Sequence, residues 1–249
     1  MAEVTLLEAI IILSVLATSI LSGVLGMAGG MILMAMLVST MSVGAAMMLH
    51  GAVQAMANGS RSWFLRQHIQ WRILPAYAVG ATLTVAIFTA LALVPDANLI
   101  LILVGIMPFL ARLVPHLRGL DVTHLPTAML CGLVVTAAQL FAGASGALLD
   151  VFYLNARLNR FEIIASKAFT QAVGHLLKLV YYGIIIGVTD SVASWVYVVA
   201  IATAVLGTRI GTRLLERFSD DGFRRVSGAV ILLIGGACVV KGTWGLLPL

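Results

Sequence analysis

His50, Gln54 and Asn58 follow one another at four-residue intervals in an apolar setting, and Lys167, Gln171 and His175 repeat that spacing in the second half of the chain. Residues four apart share one face of an α-helix, so each triplet forms a polar stripe, with Thr170 beside the second. The stripes are rich in donors: an ammonium at Lys167, amide N–H groups at Gln54, Gln171 and Asn58, and imidazoles that donate from both nitrogens when protonated. Polar side chains inside a membrane helix are costly and normally face a cavity or one another. Two such stripes facing one pathway would suit an anion.

The backbone offers a second set of donors. Gly26-Met27-Ala28-Gly29-Gly30 lies in the middle of Ala9 to Leu49, 41 residues without an ionisable side chain. A spanning helix needs roughly 20 apolar residues, so this stretch can enter a bilayer, break at the glycines and return. A break at membrane depth is tolerated only inside protein or beside a cavity, because unpaired backbone groups in lipid cost several kcal/mol each. Gly143-Ala144-Ser145-Gly146 interrupts the uncharged window Leu125 to Leu149 in the same way. Half-helices starting at such breaks present N–H groups and the positive end of a dipole. The candidate substrate-binding residues are therefore Gly26, Gly29, Gly30, His50, Gln54, Asn58, Gly143, Ser145, Gly146, Lys167, Gln171 and His175. Close helix packing explains the glycines equally well. A single histidine serves as readily in an interhelical hydrogen bond, and Lys167 can snorkel to the inner surface. Asp150, one turn past the second break, would repel an anion unless it pairs with Lys167 or takes a proton.

These residues must be held by membrane helices. With 61% hydrophobic and 10% charged residues and a mean hydropathy of +1.08 over 249 residues, the chain is an all-α polytopic membrane protein and fits no soluble domain. Basic loops stay in the cytoplasm, which places Arg61 to Arg72, Arg112 to Arg118, Arg157 to Arg160 and Arg209 to Arg225 inside, and Glu3, Glu8, Asp96 and Asp190 outside. The crossings follow. Leu6 to Thr40 is a hairpin starting and ending outside, and Val43 to Arg61, Ile73 to Val94 and Asn98 to Ala111 are full crossings. Pro126 to Asn155 is a hairpin starting and ending inside, followed by crossings over Glu162 to Tyr182, Ser194 to Thr208 and Val226 to Trp244. Residues 1–120 and 121–249 are thus two repeats of opposite orientation, each a broken helical hairpin plus three transmembrane helices, the inverted plan of many secondary transporters. At a fixed offset of 117, Gly26 falls on Gly143, Gly29 on Gly146, Gln54 on Gln171, His50 on Lys167, Asn58 on His175 and Arg61 on Lys178.

In these features the chain resembles the sulfite exporter TauE/SafE family, also called the toluene-sulfonate uptake permeases. The resemblance rests on length, on two related halves, and on a Gly-rich motif opening each half, here Gly23-Val24-Leu25-Gly26-Met27-Ala28-Gly29-Gly30-Met31 and Ala142-Gly143-Ala144-Ser145-Gly146-Ala147. It departs from the family's triple glycine, which is reduced to Gly29-Gly30 in the first copy and to Gly146 in the second. The resemblance implies movement, often outward, of sulfur-containing anions such as sulfite or organosulfonates. The residues by themselves reach only as far as an anion.

Three functional classes compete: an anion transporter working by alternating access at a central site, an anion channel, and a membrane-embedded enzyme. The enzyme lacks its groups, since the sequence has no nucleophile elbow, no HExxH, no P-loop and no pair of intramembrane carboxylates. If transport is coupled to protons, His50 or His175 is the candidate proton site. The two cysteines, Cys131 and Cys238, lie in apolar segments without metal-ligand spacing, and no metal or cofactor is signalled. The net charge of +5 comes from basic residues in or beside the cytoplasmic loops, which meet anionic lipid and imply no nucleic acid. The expected partners are a small anionic substrate, the lipid bilayer and a second copy of the chain as a homodimer, and the expected location is the cell's inner membrane, crossed several times.

Overall fold

The computed structural model describes residues 5–25, 28–113, 120–153, 155–189, 192–215 and 220–247. Ten α-helices account for most of them, with no strand among the described residues: α1 (Leu6–Leu25), α2 (Ala28–Val38), α3 (Val43–Phe64), α4 (Leu74–Leu91), α5 (Ala97–Leu113), α6 (Leu125–Ala142), α7 (Gly146–Tyr153), α8 (Arg160–Val180), α9 (Ser194–Leu215) and α10 (Asp220–Leu246). Among the described residues four segments, Leu6–Val24, Trp71–Leu91, Leu125–Ala142 and Ser194–Leu214, are long and apolar enough to cross a membrane. Helices α3 and α8 reach comparable lengths, 22 and 21 residues, but carry the polar stripes.

Local sequence explains where the helices start and stop. Pro75 and Pro126 open α4 and α6 from the first turn, where the missing N–H costs nothing. Ser42 caps α3 by accepting from the Ala45 N–H. Asn159 and Glu162 form a reciprocal capping box at the start of α8, satisfying donors that would otherwise be orphaned. Gly143 closes α6 with φ of 74°, a conformation that favours glycine, and a Cβ there would also meet Met34 Sδ at 2.5 Å.

The polar helices begin and end close to the positions expected from hydropathy, whereas α9 runs on to Leu215 and α10 begins at Asp220, earlier than Val226. The arginines there mark the edge of the hydrocarbon, but a helix satisfies its own backbone hydrogen bonds in water as well as in lipid, so it continues past that edge. Beyond α8 the chain makes a π-helical turn, Tyr181–Ile185. Tyr181 Oη donates to Leu93 O at 2.8 Å and Tyr182 Oη to Leu140 O at 2.9 Å, fastening the end of α8 to the α4 and α6 regions.

The strongest packing pairs are α1 on α9, α4 on α6, α5 on α10 and α3 on α8, with α2 folded back on α1 and α7 on α6. Small residues permit the close crossings. Gly80 and Gly132 bring the α4 and α6 backbones together, Gly23 and Gly211 do so for α1 and α9, and Gly105 and Gly235 for α5 and α10. Gln70 ties the α3–α4 connection to α8 through its backbone N–H to Ser166 Oγ (2.9 Å) and its amide to Glu162 (2.6 Å). The polar faces of α3 and α8 therefore meet each other, flanked by the two breaks.

Candidate functional site

Where α3 meets α8, Lys178 reaches across. Its ammonium donates to His50 Nδ1 at 2.9 Å and to the carbonyl of Gly143 at 3.0 Å. Because His50 accepts at Nδ1, Nε2 carries its ring proton and donates to the carbonyl of Gly30, also 2.9 Å away. A continuous chain of hydrogen bonds thus runs from the first turn of α2 to the C-cap of α6, joining both breaks through two side chains. The ammonium also lies where the negative end of the α6 dipole welcomes a cation. Lys178 is 0% exposed and His50 1%.

A second chain abuts the first. Ser145, within the second break, donates to Gln139 Oε1. That leaves the Gln139 amide nitrogen toward His175, 2.5 Å from Nδ1 and 3.0 Å from Nε2. The ring of His175 is 5.4 Å from that of His50, centroid to centroid. On the other side, a Cβ at Gly30 would meet the Gln54 amide nitrogen at 3.2 Å, so the Gln54 side chain lies over that glycine. Asn58 donates to the Gln54 backbone carbonyl at 3.0 Å and stands 3.4 Å from its side-chain oxygen.

The expected site residues within the described structure fall into three groups. Gly30, His50, Gln54, Asn58, Gly143, Ser145 and His175 come together, with Gly146 buried at the start of α7 beside them. Gly29 packs the start of α2 against Thr18 and Ser22 of α1, a helix-contact position. Lys167 and Gln171 lie further along α8, where Lys167 forms an ion pair with Asp150 and Gln171 is half-buried. Gly26 lies outside the described residues.

Three residues of the polar interior escaped the motif reading. Lys178 extends the α8 stripe, three residues past His175, and Arg61 is its partner at the 117-residue offset, so both carried a signal. Gln139 is the one amide side chain in the uncharged window Leu125 to Leu149, and nothing in its spacing links it to the stripes. Among the described residues no cluster of three or more His, Cys, Asp or Glu could hold a metal ion.

Several helices long and apolar enough to cross a membrane, around a buried lysine and amide centre, fit a multi-pass membrane protein. The sulfite exporter TauE/SafE family model matches residues 10–238, and the chain belongs to that family. It is accordingly a membrane protein of a family that transports sulfur-containing anions. No curated protein and no solved structure matches the chain.

Proposed function

We propose that this protein carries small sulfur-containing oxyanions, sulfite or an organosulfonate, out across the cell's inner membrane by alternating access. The central site would be formed by Gly30, His50, Gln54, Gly143, Ser145, His175, Lys178 and Gln139. The observation that carries the reading is the Lys178 ammonium, fully buried and held between His50 and Gly143. Taking a cation out of water costs several kcal/mol. An anion arriving beside it recovers part of that cost, and the neighbouring amide N–H groups would donate to the anion. In this reading residues 1–120 and 121–249 are inverted repeats. The helix pairing supports it: exchanging the first five helices with the last five turns α1 on α9 into α6 on α4, and leaves α3 on α8 and α5 on α10 as self-paired contacts. An inside-negative potential drives a monovalent anion outward by about 2.3 kcal/mol per 100 mV, so export needs no coupling ion.

The test is flux into and out of proteoliposomes of sulfite, sulfoacetate, taurine and sulfate, with the potential clamped. Saturable flux of sulfite or sulfoacetate, accelerated when the anion's side is negative, is the expected result. Rates equal to protein-free vesicles for all four solutes at either sign of potential would overturn the proposal.

A further inference from the structure

Helices α3 and α8 run antiparallel with a definite register. A Cβ at Gly44 would meet Val188 and one at Gly183 would meet Met48, while His50 bonds to Lys178. Continuing along α3 from His50 by eleven residues reaches Arg61, and returning along α8 from Lys178 by eleven reaches Lys167. Eleven residues are close to three full turns, so both cations stay on the facing surfaces, about 16 Å from the Lys178 centre toward the basic loops. Arg61 Nη2 reaches Ser22 O of α1 at 3.4 Å, much as Lys178 reaches Gly143 at the end of α6.

The inner cluster differs from the central one in two respects. It is open, since the side chains of Lys167 and Asp150 are 21% and 33% exposed, whereas Lys178 is sealed. It also carries a carboxylate: Asp150, on the short helix after the second break, pairs with Lys167. Lys167 pairs with that carboxylate and Arg61 adds a second positive charge, leaving a net positive charge in a partly exposed site. The guanidinium of Arg61 is a planar fork matched to a trigonal or pyramidal oxyanion, and its hydrogen bond to Ser22 O is a long one.

We propose that Arg61, Lys167 and Asp150 form a second anion station at the cytoplasmic end of the pathway, where the Asp150 carboxylate occupies Lys167 and is exchanged against the substrate oxyanion. The inference rests on the anion-transport reading above. Asp150 then acts as a competitor that keeps the inner station from holding its anion too tightly, and a pathway conducts only when each site binds weakly enough to release. Arg61 receives the anion first. Lys167 transfers from carboxylate to substrate as the anion moves toward Lys178.

Inorganic sulfite is the probe, in calorimetric binding to the full-length protein in detergent and in flux from each face of oriented vesicles. Asp150→Asn should tighten sulfite binding and lower the half-saturating concentration at the cytoplasmic face by about fivefold, the scale of a partly exposed ion pair. The opposite face should stay within about twofold of wild type, since an exposed charge some three helical turns away is largely screened. Arg61→Gln, which leaves the Asp150–Lys167 pair intact, should raise the cytoplasmic value. An unchanged or weaker sulfite affinity in Asp150→Asn, with a lowered unfolding temperature, would show a structural ion pair and overturn the second station. An Arg61→Gln variant with wild-type values at both faces would overturn it as well. Absence of any anion flux by the wild type would instead strike the function reading, a distinguishable failure.

Discussion

Replacing Lys178 with Met removes the ammonium while keeping the length and most of the volume of the side chain. In the folded protein the lysine makes two bonds, to His50 Nδ1 and to Gly143 O, and has no exposure to water. Two opposing effects bear on stability. The two former partners lose a donor, at about 1–3 kcal/mol for each buried group left unsatisfied. Against that, a buried cation no longer has to be desolvated, which is worth several kcal/mol. The net change in unfolding free energy is therefore small, and the variant is expected to purify as a folded protein with a melting temperature near that of wild type. Transport responds differently. A hydrogen bond to a charged group contributes about 1.5–3 kcal/mol, and each 1.4 kcal/mol is tenfold in affinity. Losing one ammonium–oxyanion bond should raise the half-saturating sulfite concentration by about 10- to 150-fold. The assay is initial flux into proteoliposomes against sulfite concentration, beside thermal unfolding of the same preparation. A half-saturation within twofold of wild type, accompanied by a clear fall in melting temperature, would make Lys178 a brace between the two breaks and refute its role toward the anion.

Three further outcomes follow from the packing. Gly132→Ala drives a methyl into the Tyr77 carbonyl of α4, so it should destabilise by about 1–3 kcal/mol in thermal or denaturant unfolding, whereas Gly236→Ala, with no atom within 4 Å of the new Cβ, should not destabilise and can stabilise by about 0.5–1 kcal/mol. Gln54→Ala removes an amide that lies over Gly30 and receives Asn58, so in flux assays it should cost more than Gln171→Ala, whose side chain is half-buried and further from Lys178; equal losses would contradict the central site as drawn. Asn159→Ala breaks the capping box of α8 and should lower stability by about 1 kcal/mol while leaving sulfite half-saturation unchanged.

Much of the architecture is legible in the chain because its causes are local. A long uncharged run, a glycine cluster within it and a spacing of four between polar residues translate directly into a span, a break and a stripe. Gly143 illustrates this: glycine is what a left-handed C-cap favours, and α6 ends there. The helix ends at Leu215 and Asp220 were harder to place, because hydropathy marks the membrane boundary and helix propensity does not stop at it.

The composition of the polar centre depends on distances that no sequence spacing encodes. Residue type and a spacing of four made His50, Gln54, Lys167 and His175 candidates, since a polar group in an apolar helix must find a partner. Which partner it finds was decided by the antiparallel register of α3 against α8 and by the depth to which each break is inserted. That register brings Lys178 to His50 and sends Lys167 to Asp150, while the turn at Gly143 carries Ser145 to Gln139, whose amide nitrogen reaches His175. Such pairings join residues far apart in the chain, and they exist only once the helices have packed.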